Sequence, residues 1–521
     1  MSFALDNGPS ALLLRGGVVI DGSGKDRFVA DVRVEGGRIG AIGADLAANG
    51  AVVLDASGMI VAPGFIDVHT HDDQLVLSAP QMLPKISQGV TTVIVGNCGI
   101  SLAPLVRTGV PPPLNLLGGG DAYIHPTMAS YVAAIDTARP AVNVAALVGH
   151  STLRVAAMDD PYRAATGSEQ ERMCALLREG MDAGAIGFSS GVFYATGAAA
   201  DIDELALLAG LAGDAGGIYT THIRQEMDQV LASLDEAFAT ARRGKVPVVI
   251  SHHKCAGPDN WGRTVQTLAH IDAARARQPI GLDAYPYIAG STVLRTDLVD
   301  GIIDVIVTWS APYPQMSARH LADIAAEWDC TQQEACERLQ PGGACYFQMR
   351  EDDVQRVLQY PATMIGSDGL PHDLHPHPRL WGTFPRVLGH YSRDLGLFPL
   401  ETAVHKMTAL SARRFKLAKR GELRPGFHAD VTVFDAATIA DAATFAQPAV
   451  AARGIRYVLV NGVLSYVDGQ ATMQRGGRFV ASGSPLNGRR QRCQRGPWYP
   501  TRRRYRRDQP SHVRVPNNLR P

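Results

Sequence analysis

VTTVIVGNCG, residues 90–99, is a β-branched apolar run that stops at a glycine, an asparagine and a lone cysteine. A short, unbroken apolar run bounded by turn residues reads as a strand buried on both faces. Its core, TTVIVGNC (91–98), is one of eight such runs; the others are FIDVH (65–69), VNVAALVGH (142–150), AIGFSS (185–190), IYTTH (218–222), VPVVISHH (246–253), IGLDAY (280–285) and TMIGSD (363–368). Helical patterns separate them, and this alternation calls for parallel strands joined by crossover helices. Eight such strands predict an α/β fold of the TIM (β/α)8 barrel type, whose chemistry sits at the carboxyl ends of the strands. Polar residues gather at that end of nearly every run.

The spacing breaks once, between Tyr285 and Thr363, where about eighty residues intervene. A helical insertion at about 287–348, containing HLADIAAEWDCTQQEACERL, is expected on the active face as a lid. Cys330, Cys336 and Cys345 within it match no common zinc spacing and read as structural or free thiols. On either side of the barrel (63–414) lie β-rich segments: alternating apolar runs at 11–62, then HADVTVFDAATI (428–439) and IRYVLVNGVLSYVDGQA (455–471). They predict one small β-sandwich domain built from both chain ends, residues 1–62 and 415–482. The remainder, 483–521, becomes Arg- and Pro-rich and poor in aliphatic residues, and is expected to be a disordered basic tail.

The 521-residue chain is 46% apolar and 19% charged, with zero formal net charge. From Pro485 onward there are eleven Arg and one Asp, leaving 39 basic and 49 acidic residues before it. A body that acidic offers no nucleic-acid or membrane surface. Seven scattered cysteines form no disulfide framework. The opening MSFALDNGPSALLLRGG holds only a three-leucine run, so no signal peptide is expected. A cytoplasmic enzyme, monomeric or a small homo-oligomer, acting on a small molecule, is the expectation.

His69 and His71 end the first run as H-x-H, a spacing that puts both imidazoles on one side of a strand. His222, His252 and Asp368 end runs five, six and eight. Imidazole and carboxylate groups at equivalent strand ends point to a zinc-type site. Cys98 taken alone reads by default as a packing residue, since free cysteine behaves as a small buried hydrophobe, with a free thiol or a metal ligand as the alternatives. His253 points away from His252 and reads as structural; His150, ending run three, reads either as a substrate contact or as a cap on the barrel.

APGFIDVHTHDD, followed by the barrel and closed by GSDGLPHD, resembles the amidohydrolase superfamily. NCGIS, THIRQE, ISHHKCAG, DAYPY and GSDGLPHDLHPHPRLWGTFPRVLGHYSRDLG resemble more narrowly the D-aminoacylases (N-acyl-D-amino-acid deacylases), over roughly residues 10–480. Many amidohydrolases bridge two metals with a carboxylated lysine from strand four, but here that strand reads AIGFSSG. The resemblance implies that Cys98, His222 and His252 hold one zinc tightly, and that His69, His71 and Asp368 form a second, weaker position. It implies Asp368 as general base, and Lys254, Tyr285 and Arg379, with Tyr194 and Ser291, as the binders of a substrate α-carboxylate. The implied reaction is hydrolysis of N-acyl-D-amino acids, with apolar side chains favoured. Arg295 leaves open an N-acyl-D-glutamate or D-aspartate deacylase. A cyclic-amide hydrolase of the dihydropyrimidinase or hydantoinase type fits less well, because strand two ends in a cysteine and strand four lacks a lysine. A non-catalytic barrel would be expected to have lost ligands, and here all six are present.

Overall fold

The computed structural model describes residues 11–482, so the expected basic tail lies outside the described residues. All eight runs form strands: Phe65–Asp67, Val90–Val95, Asn143–Gly149, Gly187–Gly191, Ile218–His222, Val248–Ile250, Ile280–Ala284 and Thr363–Ile365. They pair in parallel and in chain order, first to eighth. A parallel bridge between Thr70 and Gly369 joins the last strand back to the first, and the Asp368 amide donates to the His69 carbonyl at 2.7 Å. The result is the expected TIM barrel.

Alternation along each strand sorts its side chains between two cores. On the second strand Ile94 turns into a barrel core with Ile66, Leu147, Ile218, Val249 and Met364. Its neighbours Val93 and Val95 turn outward to the surrounding helices. Those helices start where capping chemistry allows. Thr166 and Glu169 form a reciprocal cap for Gly167–Asp182, and Asp201 accepts from the Glu204 amide at the start of Ile202–Asp214.

A nine-stranded sheet draws its strands from both ends of the described chain. The junction is Ile60–Pro63 lying antiparallel to Val431–Phe434. Strand Ala11–Val19 pairs with Phe28–Glu35 on one edge, and on the other first with Val52–Asp55 and then with Ile60–Pro63. The sheet therefore forks, and it wraps a separate core of Leu12, Leu14, Val32, Val34, Val61, Val431, Val433 and Leu459. A bulge at the fork uses Gly16 at φ +70°, a conformation that favours glycine.

The insertion follows the seventh strand as expected and contains helices Leu321–Glu327 and Gln332–Leu339. It also holds an antiparallel sheet where only helix was expected, with Gly342–Tyr346 between Gly290–Val293 and Val305–Ser310. Two of these strands are short and glycine-bearing, so they carry little local signal. The insertion has its own core, which includes Leu298, Val307, Leu321, Ile324, Cys336 and Tyr346. Cys330, Cys336 and Cys345 are all free thiols. Among the described residues no helix is long and apolar enough to cross a membrane.

Candidate metal centre

At the carboxyl mouth of the barrel, Cys98 sits where two groups of donor atoms meet. His69, His71, Cys98 and Asp368 form one group and Cys98, His222 and His252 the other; within each group the atoms lie within 4.8 Å of one another. The Cys98 Sγ is 3.2 Å from His69 Nε2 and 3.5 Å from His252 Nε2. His252 Nε2 in turn faces His222 Nδ1 at 3.1 Å. Asp368 Oδ1 lies 3.4 Å from His69 Nε2 and 3.2 Å from His71 Nε2. All six side chains are buried.

Close strand packing explains the glycines around Cys98. A Cβ on Gly96 would lie 2.2 Å from the Leu147 carbonyl oxygen, and one on Gly99 would lie 2.7 Å from the Gly191 nitrogen. Cys98, His252 and Asp368 themselves hold positive φ angles of 52°, 34° and 51°. Such strained backbone clusters at functional sites, where the surrounding structure enforces it.

The donor chemistry fits zinc: one thiol, four imidazoles and one carboxylate converge. Burial opposes ionisation of Cys98, but the adjacent His69 and His252 hold its thiol well below the usual range. Burial likewise opposes ionisation of Asp368, and Arg379, His69 and His71 overcome it. The anions raise their neighbours in return. His69, despite burial, lies well above the usual imidazole range beside Cys98, Asp283 and Asp368, and His71, despite burial, is lifted to about 9 beside Asp368 and Cys98. A dication exchanges for such protons, because its ligands must be unprotonated.

The outer ring nitrogens have partners beyond those expected from the motifs. His69 Nδ1 lies 3.1 Å from Asp283 Oδ1, which also accepts from the His252 amide at 2.9 Å. His252 Nδ1 lies 2.8 Å from Lys254 Nζ and 3.2 Å from Glu226 Oε1. Asp283 and Glu226 stand inside the DAYPY and THIRQE stretches, so their positions are visible in the sequence, but their aim is not.

A pocket adjoins the cluster, lined by His71, His222, His252 and Asp368 on the metal side. Lys254, Tyr285, Ser291 and Tyr194 line it too. Arg379 does not; it lies fully buried behind Tyr285, its guanidinium 4.5 Å from the ring centre and 2.9 Å from Asp368 Oδ2. His150 does not reach the pocket either. It is buried, with Nε2 2.7 Å from Glu204 Oε1, and the same carboxylate oxygen pairs with Arg154. The geometry is that of a residue tying barrel to helix. His253 also turns away, its Nε2 2.8 Å from the Thr267 hydroxyl, and burial lowers it to about 4.

Comparison with known proteins agrees with this architecture. Residues 52–284 and 336–466 match the model of the amidohydrolase family. The chain is 53% identical to a D-aminoacylase of Alcaligenes xylosoxydans xylosoxydans, covering 91% of this chain and 98% of that protein. It is 50% identical to an N-acyl-D-glutamate deacylase of the same organism, over 87% and 92%. A crystal structure of N-acyl-D-glutamate deacylase from Bordetella bronchiseptica, complexed with zinc and a phosphonate mimic of the tetrahedral intermediate, superposes with a TM-score of 0.87; identity is 48%, and the match covers 90% of this chain and 99% of that one. With family match, near-complete coverage and fold in agreement, this chain belongs to the D-aminoacylase family of the amidohydrolase superfamily.

Proposed function

We propose that this enzyme is a zinc hydrolase that cleaves N-acyl-D-amino acids to a carboxylate and a free D-amino acid, with apolar D-side chains favoured. The observation that carries the reading is Cys98, shared by two donor groups beside a pocket, in a chain with D-aminoacylase relatives. Cys98, His222 and His252 would hold zinc tightly, and His69, His71 and Asp368 would form the weaker second position. Held by these residues, zinc would supply Lewis acidity for the amide carbonyl and a bound water of near-neutral pKa. Asp368 acts as general base: it takes the proton of the attacking water and delivers it to the departing nitrogen. Lys254, Tyr285 and Ser291, which line the pocket together with Tyr194, receive the α-carboxylate. Arg379 adds its charge from behind Tyr285, where it also keeps Asp368 ionised.

The apolar preference rests on how the pocket's charges are spent. Leu116, Phe193, Met227, Leu298 and Leu370 are in its wall. Arg295 is there too, but Asp297 grips its guanidinium at 2.9 and 2.6 Å and Phe193 stacks under it at 4.2 Å. Arg224 is likewise held by Glu236 at 2.9 and 2.7 Å. An acidic side chain would have to displace these partners. The second reading, an N-acyl-D-glutamate or D-aspartate deacylase, is favoured by the position of Arg295 itself. A cyclic-amide hydrolase is disfavoured, since strand four, GFSSG, offers no lysine.

The test is a panel of N-acetyl-D-leucine, its L enantiomer and N-acetyl-D-glutamate, run with zinc analysis. Faster turnover of the D-leucine substrate, inactivity on the L form and bound zinc are expected. A higher kcat/KM for N-acetyl-D-glutamate would replace the apolar assignment with the second reading.

A further inference from the structure

Glu226 follows His222 by four residues, in the loop after the fifth barrel strand, and is buried against the pocket. Its Oε1 lies 2.7 Å from Lys254 Nζ and 3.2 Å from His252 Nδ1, and its Oε2 lies 3.8 Å from His222 Nε2. These are the outer nitrogens of two rings whose inner nitrogens, His252 Nε2 and His222 Nδ1, face each other beside Cys98. One carboxylate therefore lies behind both imidazoles, closest to His252 and beyond hydrogen-bond reach of His222, and pairs with the ammonium of a proposed substrate-binding residue.

His252 Nδ1 meets two chemically opposite neighbours, Glu226 at 3.2 Å and Lys254 Nζ at 2.8 Å. A carboxylate only accepts hydrogen bonds and an ammonium only donates them. An imidazole that offers the Nε2 lone pair to a metal carries its proton on Nδ1. Only Glu226 can accept that proton's hydrogen bond. Lys254 must then be held by its other contact and turn its remaining N–H groups outward.

The loop fixes Glu226 before any ligand arrives. Its backbone carbonyl accepts from the Ala256 amide at 2.8 Å, which ties it to the loop carrying Lys254. Next to it, the Gln225 amide donates to the Ser233 hydroxyl at 3.1 Å, and the Gln225 side-chain oxygen accepts from the Met227 and Gln229 amides at 3.0 and 2.8 Å.

We propose that Glu226 is a positioning residue that joins the metal centre to substrate binding: it sets the ligating tautomer of His252 and aims Lys254 at the substrate carboxylate. The proposal rests on the reading that zinc is held by Cys98, His222 and His252. The experiment measures zinc affinity of the full chain by competition with a chromophoric chelator, for wild type, Glu226→Gln and Cys98→Ala, together with KM and kcat for N-acetyl-D-leucine at saturating zinc. Glu226→Gln is expected to weaken zinc roughly 10- to 100-fold, and to raise KM several-fold with a smaller change in kcat. Zinc affinity within twofold of wild type overturns the proposal. If Glu226→Gln does not fold, Glu226→Asp carries the same test, because the shorter arm cannot reach both His252 and Lys254. Cys98→Ala separates the two levels of inference. Tight zinc in that variant overturns the metal reading, whereas loss of zinc there with unchanged affinity at Glu226→Gln overturns the role of Glu226 alone.

Discussion

The Arg379 guanidinium lies 2.9 Å from Asp368 Oδ2, with the arginine side chain wholly buried and the aspartate side chain 10% exposed. Burial by itself would push the carboxyl up; the ion pair, with His69 and His71, brings it well below its ordinary value. Asp368 is therefore ionised, and competent to accept a proton, throughout the neutral and mildly acidic range. Removing Arg379 leaves burial less opposed, so the carboxyl pKa rises and, as pH falls, the proposed base becomes protonated at a higher pH. Arg379→Met is expected to move the acid limb of the kcat profile upward and to lower kcat/KM, with bound zinc retained. A pH–rate profile coinciding with wild type would remove Arg379 from control of the base.

Cys98→Ala would leave the proposed tight position two protein ligands instead of three. Zinc in the purified variant is expected to fall from about one equivalent to a small fraction, measured by elemental analysis. Undiminished zinc would return Cys98 to a packing role.

Asp368→Ala removes the proposed proton acceptor but none of Cys98, His222 and His252. Zinc content is expected to hold at about one equivalent while kcat falls roughly 100-fold or more, the scale of general-base loss. Near wild-type turnover in steady-state assays would exclude the general-base role.

Asp297→Asn frees Arg295 from a carboxylate that grips it at two points. The kcat/KM ratio for N-acetyl-D-glutamate over N-acetyl-D-leucine is expected to rise by about tenfold, equivalent to roughly 1.4 kcal/mol, within the range for a charge-assisted hydrogen bond. An unchanged ratio would show that Arg295 does not face the substrate side chain.

Local pattern alone determined the barrel. Each strand is a short apolar run bounded by turn signals, and its length and β-branched content need no knowledge of the rest of the chain. The same pattern showed that His69, His71, His222, His252 and Asp368 share the carboxyl ends of their strands, because strand parity and strand polarity are local properties. The tertiary structure decided the rest. Thr70 meets Gly369 only when the barrel closes, and that closure brings Asp368 to His69 across nearly three hundred residues. It places Cys98 between two donor groups, Arg379 on Asp368 rather than in the pocket wall, and His150 on Glu204 rather than in the pocket wall. Glu226 and Asp283 acquire their meaning in the same way: a carboxylate in a loop or at a strand end reads as solvated until the fold buries it against a ring nitrogen. Side-chain aim depends on through-space packing and on backbone angles such as the positive φ of Cys98, His252 and Asp368, and neither is written in the period of the sequence.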